Sequence, residues 1–371
     1  MLSLVEGLIY FYLFICIGLL AFNILYITRA RRQARRRLKR IKEWRHILVL
    51  SDPGRPLPES LIRRLKRINN LTAFFNVANE RFSEEKADAH SFVTGNQPFF
   101  RTLAEAYGRK PAMERAFFAY MVATFYSYAG IRDHSMSELL LNYFPDSTVY
   151  SRENILNALY VLGSESAVEH AFSILNEQHW YHHPKLLSDS MVRFTGDQEA
   201  LVRRLWAYRA QWEECLLLGI VQFAALLPEN TFAEEFLEAL EKEQLPLEVR
   251  FALLRYFQKH VYPPAKPVML HFLAGEDAED SQLAVVAVSE LAAYPGEDTR
   301  TALVHALHDR NWYVRRNAAT SLNRLGMTEE EKGAVRNSGD RYAVEMMDYI
   351  LGTAGQQKPA ATAKILTEVS T

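Results

Sequence analysis

The sequence predicts an all-α protein in which a single N-terminal transmembrane helix is followed by an α-solenoid of helix pairs. Three observations lead there: an uncharged apolar run near the N-terminus, a long series of helix-periodic segments separated by short breakers, and an internal repeat. No convincing series of alternating apolar and polar residues interrupts them, so strands are not expected.

The apolar run, Gly7 to Ile27, is 21 residues without a charge. A helix rises about 1.5 Å per residue, so this length covers roughly 30 Å, the hydrocarbon thickness of a bilayer. A buried core helix would show a polar face, whereas only Asn23 and the tyrosine hydroxyls break this run. A cleavable signal would carry its positive charge ahead of a shorter apolar region. Here no Lys or Arg precedes the run and ten follow it. That asymmetry places the N-terminus outside and everything after Thr28 in the cytoplasm of a single-pass cell-membrane protein. Tyr10, Tyr12 and Tyr26 stand where amphipathic rings meet the two interfaces.

The ten following cations form a collar: Arg29, Arg31, Arg32, Arg35, Arg36, Arg37, Lys39, Arg40, Lys42 and Arg45. Against them stands one acid, Glu43, a net of +9, while residues 46–371 hold 33 basic and 42 acidic residues, a net of −9. A long acidic domain repels phosphate, which argues against nucleic acid as the main ligand. The collar is first a topology signal. Ala34, Leu38, Ile41, Arg45 and Leu48 also follow helical spacing, so an apolar stripe of Leu38, Ile41 and Leu48 could lay the collar on anionic lipid headgroups or on an acidic partner. The two cysteines, Cys16 and Cys215, cannot make a disulfide framework, consistent with a reducing compartment.

The order of segments follows from the breakers. Residues 1–28 form the anchor, and 29–58 a basic juxtamembrane helix ending in the Pro-rich linker "SDPGRPLP". Residues 59–94 read as a helical connector, with Leu61, Leu65, Ile68, Leu71 and Phe75 on one face. The solenoid occupies 95–352, and the small, polar residues 353–371 read as a flexible tail.

Leu140–Gly163 aligns without gaps on Leu303–Gly326, with identities that include Asp146/Asp309, Tyr150/Tyr313, Arg152/Arg315, Leu159/Leu322 and Gly163/Gly326. The offset of 163 is close to five units of about 33 residues, a length typical of helical-pair repeats. Leu307–Gly326 resembles a HEAT repeat: Asp309, Val314, Arg315, Ala318, Ala319, Leu322, Leu325 and Gly326 fill that family's pattern. Asp146, Arg152 and Gly163, with Leu159 and Leu162, fill much of it again. The resemblance implies HEAT-like helix pairs across the solenoid, with these Asp, Arg and Gly positions structural.

No distinct catalytic, cofactor-binding or metal set stands out. "HWYHH", His179–His183, places two histidines four apart, but no third ligand has recognisable spacing. Asp277, Glu279 and Asp280 read as loop acids without calcium-loop spacing, and Cys215 sits in an apolar helix. Phe117, Phe118, Tyr120, Phe125, Tyr126 and Tyr128 form an aromatic cluster that is either core or a partner groove.

The expected function is therefore not enzymatic: a membrane-anchored cytoplasmic scaffold that docks a protein partner, a membrane enzyme or complex. The compact single-span design suggests a bacterial source. Similar architectures suggest an accessory subunit of an envelope-polysaccharide glycosyltransferase, by analogy alone. Two rivals remain: a lyase of the kind that attaches bilins, which some HEAT-like proteins resemble, and a nucleic-acid-binding solenoid, which the acidic balance opposes.

Overall fold

A 49-residue helix opens the chain, and nothing in its sequence could stop it earlier. From Leu2 to Leu50 there is no proline, and the two glycines, Gly7 and Gly18, lie in its first half. The computed structural model describes the backbone of residues 2–275 and 278–362. Among these residues there are twenty α-helices, two short 3-10 turns and no strand. The chain divides into two compact units, Met1–Ile174 with Arg193–Gly196, and Leu175–Val192 with Asp197–Thr371.

In the first unit, α1 (Leu2–Leu50) is followed by α2 (Glu59–Leu65), α3 (Ile68–Glu84), α4 (Lys86–Gly95), α5 (Gln97–Gly108), α6 (Ala112–Ala129), α7 (His134–Leu141) and α8 (Val149–Leu162). The segment expected as a connector, 59–94, thus lies inside this unit, and α3 packs on α1, α4 and α6. Leu71, Phe74, Phe75, Ala78 and Phe82 recur at intervals of one, three and four along α3 and are all buried, which gives that helix a broad apolar face. Phe74 is the centre of it, with its ring 6.0 Å from Phe92, 6.3 Å from Phe99 and 6.1 Å from Phe125. The last two are edge-to-face, and contacts of that kind add to the area that the rings bury. Half of the aromatic cluster of α6 is core: Phe118, Phe125 and Tyr126 are fully buried, while the half-buried Phe117 and the exposed Tyr120 lean on Phe75 and the Tyr128 hydroxyl donates to Asn79 Oδ1.

After α9 (Glu165–Glu177), the second unit contains α10 (Pro184–Met191), α11 (Gln198–Ala207), α12 (Glu214–Ala224), α13 (Ala233–Lys242), α14 (Leu247–Lys259), α15 (Ala265–Ala274), α16 (Ala278–Glu290), α17 (Glu297–Ala306), α18 (Trp312–Leu325), α19 (Glu329–Asn337) and α20 (Arg341–Thr362). From α10 to α20 each even-numbered helix packs on the next even one, and α11, α13, α15, α17 and α19 each pack on the helix that follows.

The internal repeat is visible in where helices begin and end. α7 and α17 start at His134 and Glu297, while α8 and α18 are both 14 residues long, and all four starts keep the offset of the aligned sequences. Thr148 and Asn311 cap the second helices with their side-chain oxygens. Gly163 and Gly326 end them at φ of 72° and 74°, a left-handed turn that a side chain resists.

Two expectations need correction. Glu279 and Asp280 belong to the first turn of α16 rather than to a loop, while Asp277 lies outside the described residues. The tail expected from residue 353 begins as a continuation of α20 to Thr362, and 363–371 lie outside the described residues.

Glu290, at the end of α16, is buried, and among the described residues its Oε2 has no hydrogen-bond partner. Burial pushes its pKa up to about 7, against the opposing pull of Arg255 and Arg324. Between the ordinary value of 4.5 and that of about 7, the native state holds a proton that the unfolded chain has released. This group therefore costs stability increasingly as pH rises through that window. The Glu290→Gln variant should lose this slope: thermal unfolding measured at about pH 5 and about pH 8 should show the variant gaining on the wild type at the higher pH. An unchanged difference between the two proteins at both pH values would contradict it.

Candidate functional site

The site built most fully by the chain is the clamp that joins α1 to the first unit. The span, the collar and the clamp are one uninterrupted helix, so the expected boundary between residues 28 and 29 has no structural break. Among the described residues one helix is long and apolar enough to cross a membrane, and the apolar part of it is not buried inside the protein.

Trp44 is fully buried, and its ring meets Phe74 of α3 edge-on at 5.4 Å. The Arg64 guanidinium of α2 lies 5.4 Å from the same indole and also pairs with Glu43 at 2.9 Å. Leu48, one turn further on, is buried as well. The helix ends where Arg81 Nη1 donates to the Leu48 carbonyl at 2.7 Å, supplying a donor to one of the carbonyls that a helix end leaves open. Asp88 holds Arg81 in place through Nε at 2.6 Å.

The Pro-rich linker is fixed too. Leu57 is buried, and its N–H donates to Asn96 Oδ1 at 2.8 Å, while Asn96 Nδ2 donates to the Phe92 carbonyl at 3.0 Å. Gly95 must lack a side chain, because a Cβ there would come within 2.2 Å of the Gly54 carbonyl oxygen.

These contacts revise the reading of the collar. Ile41 is half-buried and Leu48 is buried on the protein, so of the proposed lipid-facing stripe only Leu38 is free to meet another surface. Arg29, Arg31, Arg32, Arg35, Arg36, Arg37, Lys39 and Lys42 are exposed and Arg40 is half-buried, with no ion pair among the described residues, while Arg45 pairs with Glu80 at 2.7 Å. From Ile27 to Trp44 the helix advances about 25 Å, so the collar is a charged stalk between span and clamp.

A second surface lies in the second unit, at the start of α18 and α20. Trp312, Tyr313 and Tyr342 are exposed, and Trp312 and Tyr313 meet edge-on at 5.2 Å. Arg316 lies 5.6 Å from the Trp312 ring and Arg315 lies 5.7 Å from Tyr342. Exposed Trp, Tyr and Arg in one patch is the composition of binding hot spots. Beside it a groove of about 1230 Å³ is lined by residues that include Leu273, Ala302, His305 and Arg310.

The repeat-motif residues do local work. Arg315 donates to the Asp309 and Arg310 carbonyls, Asp309 Oδ1 accepts from the Asn311 N–H, and Val314 is buried. Arg152 is buried, and Asp146 receives Arg115 both at its carbonyl, 2.8 Å, and at its carboxylate, 3.5 Å. His179, in a left-handed conformation at φ 51°, pairs with Glu213, whereas His183 accepts from the Lys185 N–H to cap α10. Among the described residues no group of His, Cys, Asp or Glu is arranged to hold a metal. Burial pushes the Cys215 thiol pKa up, which disfavours its nucleophilic form.

No protein-family model and no curated protein matches the chain.

Trp44→Ala should open the clamp. Removing a buried aromatic costs about 3–5 kcal/mol, so the population with α1 detached should rise by roughly 100-fold or more. Trypsin cleavage of the Arg45–His46 bond in the detergent-solubilised protein should accelerate accordingly, and Trp44→Phe should recover much of the protection. Equal cleavage rates in wild type and Trp44→Ala would contradict the clamp.

Proposed function

We propose that the protein is a membrane-anchored cytoplasmic scaffold whose HEAT-like helix pairs form an α-solenoid that docks a protein partner, as an accessory subunit of a membrane complex. The supporting observation is the clamp. A flexible tether would suffice to keep a domain near a membrane, but α1 enters the first unit without a break and is held there by Trp44, Leu48 and Arg81. A first unit held fixed on α1 presents its own surface to a neighbour in the bilayer at little entropic cost on binding.

The solenoid reading draws support from the succession of even-numbered helices in the second unit and from the matching limits of α7–α8 and α17–α18. The exposed Trp312, Tyr313 and Tyr342 are the anchors expected of its docking face. The lysines and arginines after the span support a cytoplasmic location for the two units. A glycosyltransferase of envelope polysaccharide is the partner class that the analogous architecture favours, and the solenoid itself has a scaffolding rather than a catalytic role.

The test is affinity purification in mild detergent of the full-length protein beside a Trp312→Ala, Tyr342→Ala double variant. One membrane enzyme should follow the native protein, and its recovery should fall at least about tenfold with the variant, equivalent to about 1.4 kcal/mol of binding. If no membrane protein follows the native chain in stoichiometric amount, the scaffold reading fails.

A further inference from the structure

The row of residues that seats α1 on α3 does not stop at the clamp. Counted back from Leu48 in alternating steps of four and three, it reads Trp44, Ile41, Arg37, Ala34, Ala30, Ile27, Asn23, Leu20, Cys16, Leu13 and Ile9. This is the spacing of a coiled-coil seam. Within the apolar span such a row is unremarkable, but within the collar it is singular. Ile27, Ala34, Ile41 and Leu48 repeat every seven residues without a charge, while each other seven-residue line through the collar carries at least one Lys or Arg. At the clamp end the row is buried; from Ile9 to Ala34 every member is exposed.

We propose that this exposed length of the seam is the docking face for a transmembrane helix of a different protein, one whose cytoplasmic extension is acidic. The proposal rests on the reading of α1 as a membrane span and of the protein as a docking subunit, and it names the class of partner.

Three features on the seam define that partner. Asn23 lies four residues inside the cytoplasmic end of the run, about 6 Å deep, where its amide has no water. Among the described residues it has no hydrogen-bond partner beyond its own helix, and an interhelical bond is the ordinary remedy. Ala30 and Ala34 allow a second helix to approach closely at the point where the chain leaves the bilayer. Arg37 sits on the seam 14 residues from Asn23, so a parallel partner meets it with an Asp or Glu about 21 Å beyond the group that bonds Asn23. The cations on either side of the row then face the flanks of the partner, as charges beside a coiled-coil seam do. A seven-residue row drifts by about 20° per heptad on a straight helix, which slight left-handed supercoiling absorbs.

A second copy of this chain is the wrong occupant. Two copies share one topology, so their spans run parallel and a symmetric pair sets Arg37 against Arg37. It also brings two collars of +9 within the roughly 8–10 Å that separates packed helices. Opposite charge on the partner turns that repulsion into attraction and makes the pairing selective.

The experiment reconstitutes full-length protein in phosphatidylcholine vesicles with synthetic helices and reads energy transfer between labels. One probe has a Leu/Ala span with an Asn at the depth of Asn23, followed by a helical extension with Glu opposite Arg37 and along both flanks. A second probe replaces each Glu by Lys, and a third replaces the Asn by Leu. The Glu probe should associate at least tenfold more strongly than the Lys probe and several-fold more strongly than the Leu probe. Asn23→Leu should erase the second difference, and Arg37→Glu should reduce the first. Equal association of the Glu and Lys probes overturns the proposal, as does stronger transfer between two labelled copies of the protein than to the Glu probe. Loss of the Glu preference when about a third of the lipid is phosphatidylglycerol overturns it in favour of lipid as the collar's occupant. Extraction of the protein from the vesicles by alkaline carbonate marks a different failure, that of the membrane reading itself.

Discussion

Trp44 against Phe74 is the contact on which the seating of α1 in the first unit depends. The indole arrives on the same helix that carries an apolar span and ten cations, and it enters a core of Phe74, Phe92, Phe99 and Phe125 already packed ring to ring. An aromatic side chain buries a large apolar area with few rotamers to lose, so a single one can hold a long helix where a smaller residue would let it swing. Around it, Arg64 covers the indole, Arg81 closes the helix end, and Asn96 fixes the returning chain. Span, stalk and folded unit thereby become one mechanical piece.

The electrostatics of the chain follow the same division. The stalk is strongly positive and the chain beyond it is net negative, yet near the clamp the two are joined by specific pairs, Arg45 with Glu80 and Glu43 with Arg64. These exposed pairs contribute little energy by themselves. Their role is registration, since they flank an apolar contact that supplies most of the stabilisation. The remaining cations face outward, and their charge is available for whatever the membrane or a neighbouring protein presents.

The long apolar helix, the collar and the helical character of the chain were legible because each is local: a run without charge, a run of charge, a period of 3.6. The repeat was legible as well, because Asp146/Asp309, Arg152/Arg315 and Gly163/Gly326 keep one offset, and the helices that contain or adjoin them begin and end in step. The clamp was not. Trp44 reads locally as one aromatic among cations, and its partner Phe74 lies thirty residues away on another helix. "SDPGRPLP" breaks a helix as its prolines require, but its fixed course depends on Asn96, a residue that gives no sign in the sequence of accepting from Leu57. Asn96 is also the one residue that separates α4 from α5.

The clamp requires α1 and the rest of the first unit to move as one body, and the distance between them measures this most directly. Spin labels at Leu38→Cys on the stalk and Glu84→Cys at the end of α3, in a full-length protein with Cys16 and Cys215 replaced, allow that distance to be read in lipid nanodiscs by pulsed electron resonance. Both sites are exposed, so the labels disturb no packing. A single narrow distance distribution, broadened by Trp44→Ala, is the result that the clamp requires. A broad distribution in the otherwise native protein would show a tether, and the account of a rigid, membrane-held docking unit would be wrong.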